Sequence, residues 1–291
     1  MTERRFRQVD VFTNTPFMGN PVAVVIDAEG LDSQAMQQIA NWTNLSETTF
    51  VLPATDPLAD YQLRIFTPRN ELPFAGHPTI GTAHALMELG LVAPHHQQLV
   101  QQCAGGLINL HIDDSDNSAS PTITLTLPDA LVTPLSSEET AMLVSGLGLT
   151  LDSALAPQII DVGPRWIVAK VDSVQALLAA HPNYATLEAL ELATGATGSS
   201  IYACLAGTDS DIEVRSFAPS CGLLEDPVCG SGNGSVAVFI RMHEGATPAR
   251  TIRSSQGRCV GREGRIRLSI AADAIGVGGQ AVTCVEGVLN A

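Results

Sequence analysis

The sequence predicts a protein of mixed α and β structure built as two similar halves, each with strands gathered about one buried helix. Three observations carry that prediction. Strand-like and helix-like segments alternate along the 291 residues, separated by turn-rich loops. Two helical segments, at 78–89 and 232–242, are apolar all round, as a helix enclosed by a sheet must be. Each follows a related run. Arg64-Ile65-Phe66-Thr67-Pro68 leads to Pro73-Phe74-Ala75-Gly76-His77-Pro78, and Arg215-Ser216-Phe217-Ala218-Pro219 leads to Pro227-Val228-Cys229-Gly230-Ser231-Gly232. Each copy reads strand, loop, glycine-bearing turn, buried helix, which points to duplication with function where the halves meet.

Taken in order, residues 6–12 and 21–26 read as strands joined by Thr13-Asn14-Thr15-Pro16-Phe17-Met18-Gly19-Asn20. Asp32 suits the N-cap of a helix running to residue 42, with Ala35, Met36, Ile39 and Ala40 at helical spacing. Residues 48–52 and 61–66 are strands, and the helix at 78–89 is closed by Gly90. Pro78 fits the first helical position, where a missing N–H costs nothing. The polar Asp113-Asp114-Ser115-Asp116-Asn117-Ser118 reads as a linker. An N-terminal lobe of residues 1–116 and a C-terminal lobe of 117–277 are therefore expected, with a last strand at 278–291 returning to the first. Beyond the linker come strands at 122–127, 159–162, 166–171, 201–205 and 212–217, with helices at 137–145 and 232–242. Residues 265–270 and 280–288 are again strand-like.

Composition narrows the function. Hydrophobic residues make up 45% and charged residues 15%, a globular balance, and no apolar run approaches the length of a membrane span. The N-terminal Arg4-Arg5 is not followed by an apolar region, so a cytoplasmic location is expected. A net charge of −15 with scattered basic residues speaks against nucleic acid. The cysteines, Cys103, Cys204, Cys221, Cys229, Cys259 and Cys284, lie far apart without a C-x-x-C pair, which favours reduced thiols over disulfides or zinc. Lys170 is the sole lysine and ends a strand-like run, so pyridoxal chemistry, which needs a Schiff-base lysine, is disfavoured.

The strongest local signal is Asp226-Pro227-Val228-Cys229-Gly230-Ser231-Gly232-Asn233-Gly234-Ser235. Small residues at the mouth of a buried helix let a ligand approach the backbone, and free N–H groups there suit a carboxylate. The alternative is a flexible loop feeding a helix. In the matching turn, Gly76 is followed by His77, which the positive helix end would hold neutral and able to exchange a proton, or which merely caps the turn. His84, on the same helix, reads as a satisfied core residue, and His95-His96 as solvated. His77 and His84 lack metal-ligand spacing. Glu47, between a helix and a strand in Asn44-Leu45-Ser46-Glu47-Thr48-Thr49-Phe50, reads on its own as an exposed glutamate.

Together these segments resemble the PhzF-like, phenazine-biosynthesis-like family, whose fold is that of diaminopimelate epimerase. The resemblance rests on Val9-Asp10-Val11-Phe12-Thr13, Phe17-Met18-Gly19-Asn20-Pro21-Val22-Ala23-Val24, Asn44 to Val51, Arg64 to Pro68, Phe74-Ala75-Gly76-His77-Pro78-Thr79 and Asp226 to Ser231, in family order. It implies an α+β fold of two similar lobes, each a mixed, largely antiparallel barrel-like sheet around a central helix. It also implies a homodimer, and an isomerase that moves a proton on a small carboxylate-bearing, amino-acid-like or cyclic metabolite with neither metal nor organic cofactor. By motif, the family's base falls on Glu47, its histidine on His77, its aspartate on Asp226 and its serine on Ser231. Gly76, Cys229, Gly230 and Gly232 would line the substrate. Asp226 would hold a substrate amine or hydroxyl, or orient His77.

Racemases and epimerases of this fold use one cysteine per lobe. Here Cys229 matches the second and Ala75 stands at the first, so a symmetric two-thiol reaction is not available. Cys229 is then a reactive thiol lowered by the helix start or a small apolar filler. Two other readings stand beside isomerisation: an amino-acid racemase or epimerase pairing Glu47 with Cys229, and a non-catalytic ligand- or protein-binding module. A dinucleotide enzyme is rejected, because Gly230-Ser231-Gly232-Asn233-Gly234 lacks the full G-x-G-x-x-G spacing.

Overall fold

The computed structural model describes residues 2–115 and 120–291. The expected lobe boundary at 116/117 and the end of the polar linker lie outside the described residues. The chain divides into two compact units, Met1–Leu125 with Gly278–Ala291, and Thr126–Val277.

In the first unit, β1 (Glu3–Val11) and β2 (Asn20–Val25) pair antiparallel. Helix α1 (Ser33–Thr43) starts where the Asp32 side chain accepts from Ala35 N at 2.8 Å and stops at Asn44 in the left-handed region. Strand β3 (Thr48–Leu52) then lies parallel to β2, and β4 (Tyr61–Phe66) returns antiparallel to β3. After β5 (Glu71–Leu72) comes α2 (Gly76–Glu88), buried without a break from Pro78 to Leu86 and packed on β1, β2 and β3. Its approach is close enough that a Cβ on Gly81 would lie 2.5 Å from Val22 Cγ1. Strand β6 (Gln98–Cys103) runs parallel to β4, and β7 (Gly106–Asp113) and β8 (Thr122–Thr126) follow antiparallel. On the other face of β3 and β4, α1 covers a small core of Met36, Ala40, Phe50 and Phe66.

The second unit opens with β9 (Leu131–Pro134) and α3 (Ser137–Leu147), whose start is a full capping box between Ser136 and Glu139. Strands β10 (Gln158–Asp161) and β11 (Arg165–Lys170) pair antiparallel. Helices α4 (Val174–Ala179) and α5 (Tyr184–Thr194) lead to β12 (Gly198–Cys204), parallel to β11, and to β13 (Ile212–Ala218), antiparallel to β12. After β14 (Leu223–Asp226) comes α6 (Gly230–Glu244), buried from Gly232 to Ile240 and packed on β10, β11 and β12. Then β15 (Arg250–Gln256) runs parallel to β13, followed by antiparallel β16 (Gly264–Ile270) and by β17 (Ile275–Gly279). The last strand, β18 (Ala281–Asn290), pairs antiparallel with β1. Each unit is thus a mixed, largely antiparallel sheet about a central helix.

The internal repeat holds at the level of register. Thr48 pairs with Phe66 in the first unit, and Ser199 with Phe217 in the second. Arg64 stacks over Phe66 and forks onto Glu71; Arg215 stacks over Phe217 and forks onto Glu225. The parallel neighbours obey the same rule, Ala23 beside Thr48 and Ile167 beside Ser199. One set of physical constraints, namely an Arg-x-Phe strand, a parallel neighbour and a buried helix, has been used twice.

Several details differ from the sequence reading. Helix α2 begins at Gly76, so Pro78 is the third helical residue rather than the first; any position in the first turn tolerates it, because those N–H groups have no intrahelical partner. Helix α6 likewise begins at Gly230, two residues earlier than the periodicity suggested, since glycines carry no hydrophobic signal. Helices α4 and α5 and strands β5, β6, β7, β9, β14, β15 and β17 were not anticipated. For α5 the caps were legible: Asn183 accepts from Thr186 N and Gly195 closes the helix in the left-handed region.

Candidate active site

In the first unit the chemistry gathers where β3 begins beside the mouth of α2. The left-handed Asn44 turns the chain out of α1, and Glu47 O accepts from Ala23 N at 3.3 Å as β3 joins β2. Thr49 then donates to Ala23 O and meets Thr82 Oγ1 of α2 at 2.9 Å, tying the strand to the helix. Gln101, fully buried on β6, donates to Thr79 Oγ1, whose hydroxyl donates to Ala75 O at the helix cap. These bonds fix the backbone on both sides of the pair. The Glu47 carboxylate lies 3.3 Å from His77 Nε2, with the side chains only 17% and 10% exposed. Burial pushes the Glu47 carboxyl from 4.5 up to about 7, against a smaller opposing pull from Ser46. The glutamate that looks exposed in isolation is therefore enclosed, and it holds its proton tightly enough to exchange it near neutral pH.

In the second unit the chemistry gathers at the mouth of α6. Asp226 accepts from Val228 N at 3.1 Å, an Asx turn that aims the chain at the helix. Gln256 of β15 then clamps the turn: its amide donates to Asp226 O at 2.8 Å, while its oxygen accepts from Cys229 N and Asn233 Nδ2. Asn233 also donates to Cys229 O and accepts from Ser254. Cys229 is the N-cap, with its sulfur accepting from Gly232 N at 3.3 Å. Burial, with Asp226 alongside, drives its thiol well up from the ordinary value. Gly232 permits the close packing beneath the mouth, since a Cβ there would lie 2.3 Å from Ser200 Oγ and 2.9 Å from Ser216 Oγ. Ser231 Oγ accepts from the indole N–H of Trp166 at 3.0 Å.

The residues read from sequence thus form two groups: Glu47, Gly76 and His77 in the first unit, and Asp226, Cys229, Gly230, Ser231 and Gly232 in the second. Sequence reasoning named Asn233 within the run at the α6 mouth but assigned no site role to Trp166, Gln256 and Gln101. Their strand positions looked like ordinary core, and only register brings them to the helix mouths. His84 is buried with Nδ1 3.3 Å from Ser120 Oγ, and burial lowers its pKa. His95 and His96 are exposed. Lys170 is 3.2 Å from Asp152. No helix among the described residues is long and apolar enough to cross a membrane.

The comparisons with known proteins define first a class, that of isomerases. The chain is 33% identical to the trans-2,3-dihydro-3-hydroxyanthranilate isomerase of Pseudomonas aeruginosa, across 90% of this chain and 88% of that one. It is also 40% identical to antisense-enhancing sequence 1 of Schizosaccharomyces pombe, across 99% of both. A crystal structure of a Bacillus anthracis phenazine biosynthesis protein of the PhzF family superposes with a TM-score of 0.90 at 25% identity, covering 100% of each chain. The family described as phenazine biosynthesis-like protein matches residues 9–287, and the chain belongs to it.

Proposed function

We propose that this isomerase moves a proton on a small carboxylate-bearing metabolite, amino-acid-like or cyclic, with Glu47 as the acid and base. The observation that carries the reading is the enclosed Glu47 carboxyl, raised to about 7 and 3.3 Å from His77. A base works best with a pKa near the working pH, where it is ionised often enough to accept a proton and acidic enough to return it. Ionised Glu47 takes a proton from a carbon next to the unsaturated or carboxylate-bearing system. The C–H electron pair spreads into that system, and the same carboxyl then delivers its proton to a second carbon. His77, 3.3 Å away, keeps its proton and steadies the Glu47 carboxylate by presenting an N–H to it while it is ionised. In this reading Ser231 and the backbone at Gly230 hold the substrate carboxylate, and Asp226 holds an amine or hydroxyl.

The register repeat supports a single base. The residue equivalent to Glu47, one before Ser199, is Gly198, and a Cβ there would lie 2.3 Å from Phe217 O and 2.5 Å from the Trp166 ring. At the other equivalent position of the repeat the first unit has Ala75 and the second Cys229, both helix N-caps. The upward-shifted Cys229 thiol, engaged as a cap, argues against an epimerase that pairs Glu47 with Cys229. Operation without metal or organic cofactor, a homodimeric state and a cytoplasmic location belong to the same proposal and rest on the family likeness.

The test is solvent deuterium exchange into a panel of small cyclic and amino acids, trans-2,3-dihydro-3-hydroxyanthranilate among them. Glu47→Gln is expected to abolish exchange while leaving ligand affinity within a few-fold. Normal turnover by Glu47→Gln, or lost binding with normal turnover of what binds, refutes the base assignment.

A further inference from the structure

The hydroxyl of Ser231 can donate one hydrogen bond and accept two. In the second unit the indole N–H of Trp166 occupies an acceptor site at 3.0 Å. An indole nitrogen can only donate, so this contact has one polarity whatever the protonation of its surroundings. The Ser231 proton is left to point elsewhere. Its intramolecular alternative is the Cys229 sulfur at 3.7 Å, a weak acceptor already receiving Gly232 N. An anionic oxygen arriving at the mouth of α6 would be the stronger acceptor, by roughly a factor of two in energy.

Trp166 is held firmly enough to impose this. It is buried on β11, paired with Ile160 on one side and with Gly198 on the other. Its ring also occupies space that the first unit uses differently. By register, Trp166 stands where Val22 stands beside Glu47, and its bulk closes the place a side chain at residue 198 would need. The second unit thus carries Gly198 at the place of the base and, beside it, Trp166, whose N–H meets Ser231.

We propose that Trp166 is a positioning residue: its indole N–H presets Ser231 as a hydrogen-bond donor to the carboxylate of the ligand, committing the mouth of α6 to anion binding. The inference rests on the reading that Ser231 contacts substrate. Trp166→Phe keeps most of the ring and removes the N–H.

The experiment measures anthranilate binding to wild type, W166F, S231A and the double variant. Loss of a preorganised hydrogen bond weakens W166F by roughly 3- to 10-fold. Because Trp166 acts through Ser231, adding W166F to S231A should cost nothing further. A merely structural tryptophan would give additive losses in the double variant, and that result overturns the proposal. So does unchanged affinity in W166F while S231A is weakened. Unchanged affinity in S231A instead removes Ser231 from the site and overturns the parent reading together with this one.

The chain has only two tryptophans, Trp166 and the 79% exposed Trp42, so the indole N–H signals separate readily. In the wild type the Trp166 signal should shift on adding anthranilate while that of Trp42 stays in place. A stationary Trp166 signal at saturating anthranilate counts against the proposal.

Discussion

The enclosed Glu47 makes a quantitative claim about folding. A carboxyl raised from 4.5 to about 7 is destabilising to the native state once ionised, by about 3 kcal/mol at about 1.4 kcal/mol per pH unit. Below pH 4.5 the group is protonated in both folded and unfolded chains and exerts no such effect. Between 4.5 and about 7 the unfolded chain ionises first, so native stability falls as pH rises, and the full loss is reached above 7. Glu47→Gln is neutral throughout and escapes this loss. Urea unfolding of both proteins at several pH values should show the variant gaining on wild type by about 3 kcal/mol between pH 4 and pH 8. His77 is the titratable group facing Glu47, at 3.3 Å. If a protonated His77 held the carboxylate ionised, the trend would reverse, with wild type gaining on the variant. A flat or reversed difference refutes the claim that burial dominates this carboxyl.

Two further outcomes follow from the repeat and from the helix caps. Arg215 and Glu225 are both only 5% exposed, whereas Arg64 and Glu71 are 24% and 36% exposed. Arg215→Ala strands a buried carboxylate and should cost about 3–5 kcal/mol, against less than about 1 kcal/mol for Arg64→Ala. Urea midpoints of the two variants measure the contrast, and equal losses would contradict it. Among the thiols, exposed Cys204 and Cys221 should be alkylated by iodoacetamide well before Cys229, which is buried and shifted upward. Peptide mass spectrometry gives the order, and early modification of Cys229 would overturn its reading as a cap.

Much of the fold was legible because it depends on short-range pattern. The strands at 48–52 and 61–66 coincide with β3 and β4, and the Asp32 cap begins α1 where expected. The two all-apolar helices showed themselves because a helix enclosed by a sheet has no polar face to display. Strands such as β6 and β7, and the helix pair α4 and α5, were missed where polar and apolar residues mix without a clean period. Helix starts were misplaced by two residues at both glycine-bearing mouths, where hydrophobicity gives no signal and the backbone alone decides.

The sequence by itself determined the duplicated architecture, the family and the residue types at the two helix mouths. Tertiary structure decided their states. Glu47 reads as an exposed glutamate along the chain, and only its enclosure beside His77 raises its carboxyl. Cys229 reads along the chain as a small apolar filler sooner than as a nucleophile, and only burial and the bond from Gly232 make it a cap. Trp166 reads as core until the register between β11 and β12 sets its ring over Gly198 and its N–H bonds Ser231. Residue identity is local, whereas desolvation and hydrogen-bond polarity are set by neighbours distant in sequence, and proton chemistry depends on the latter.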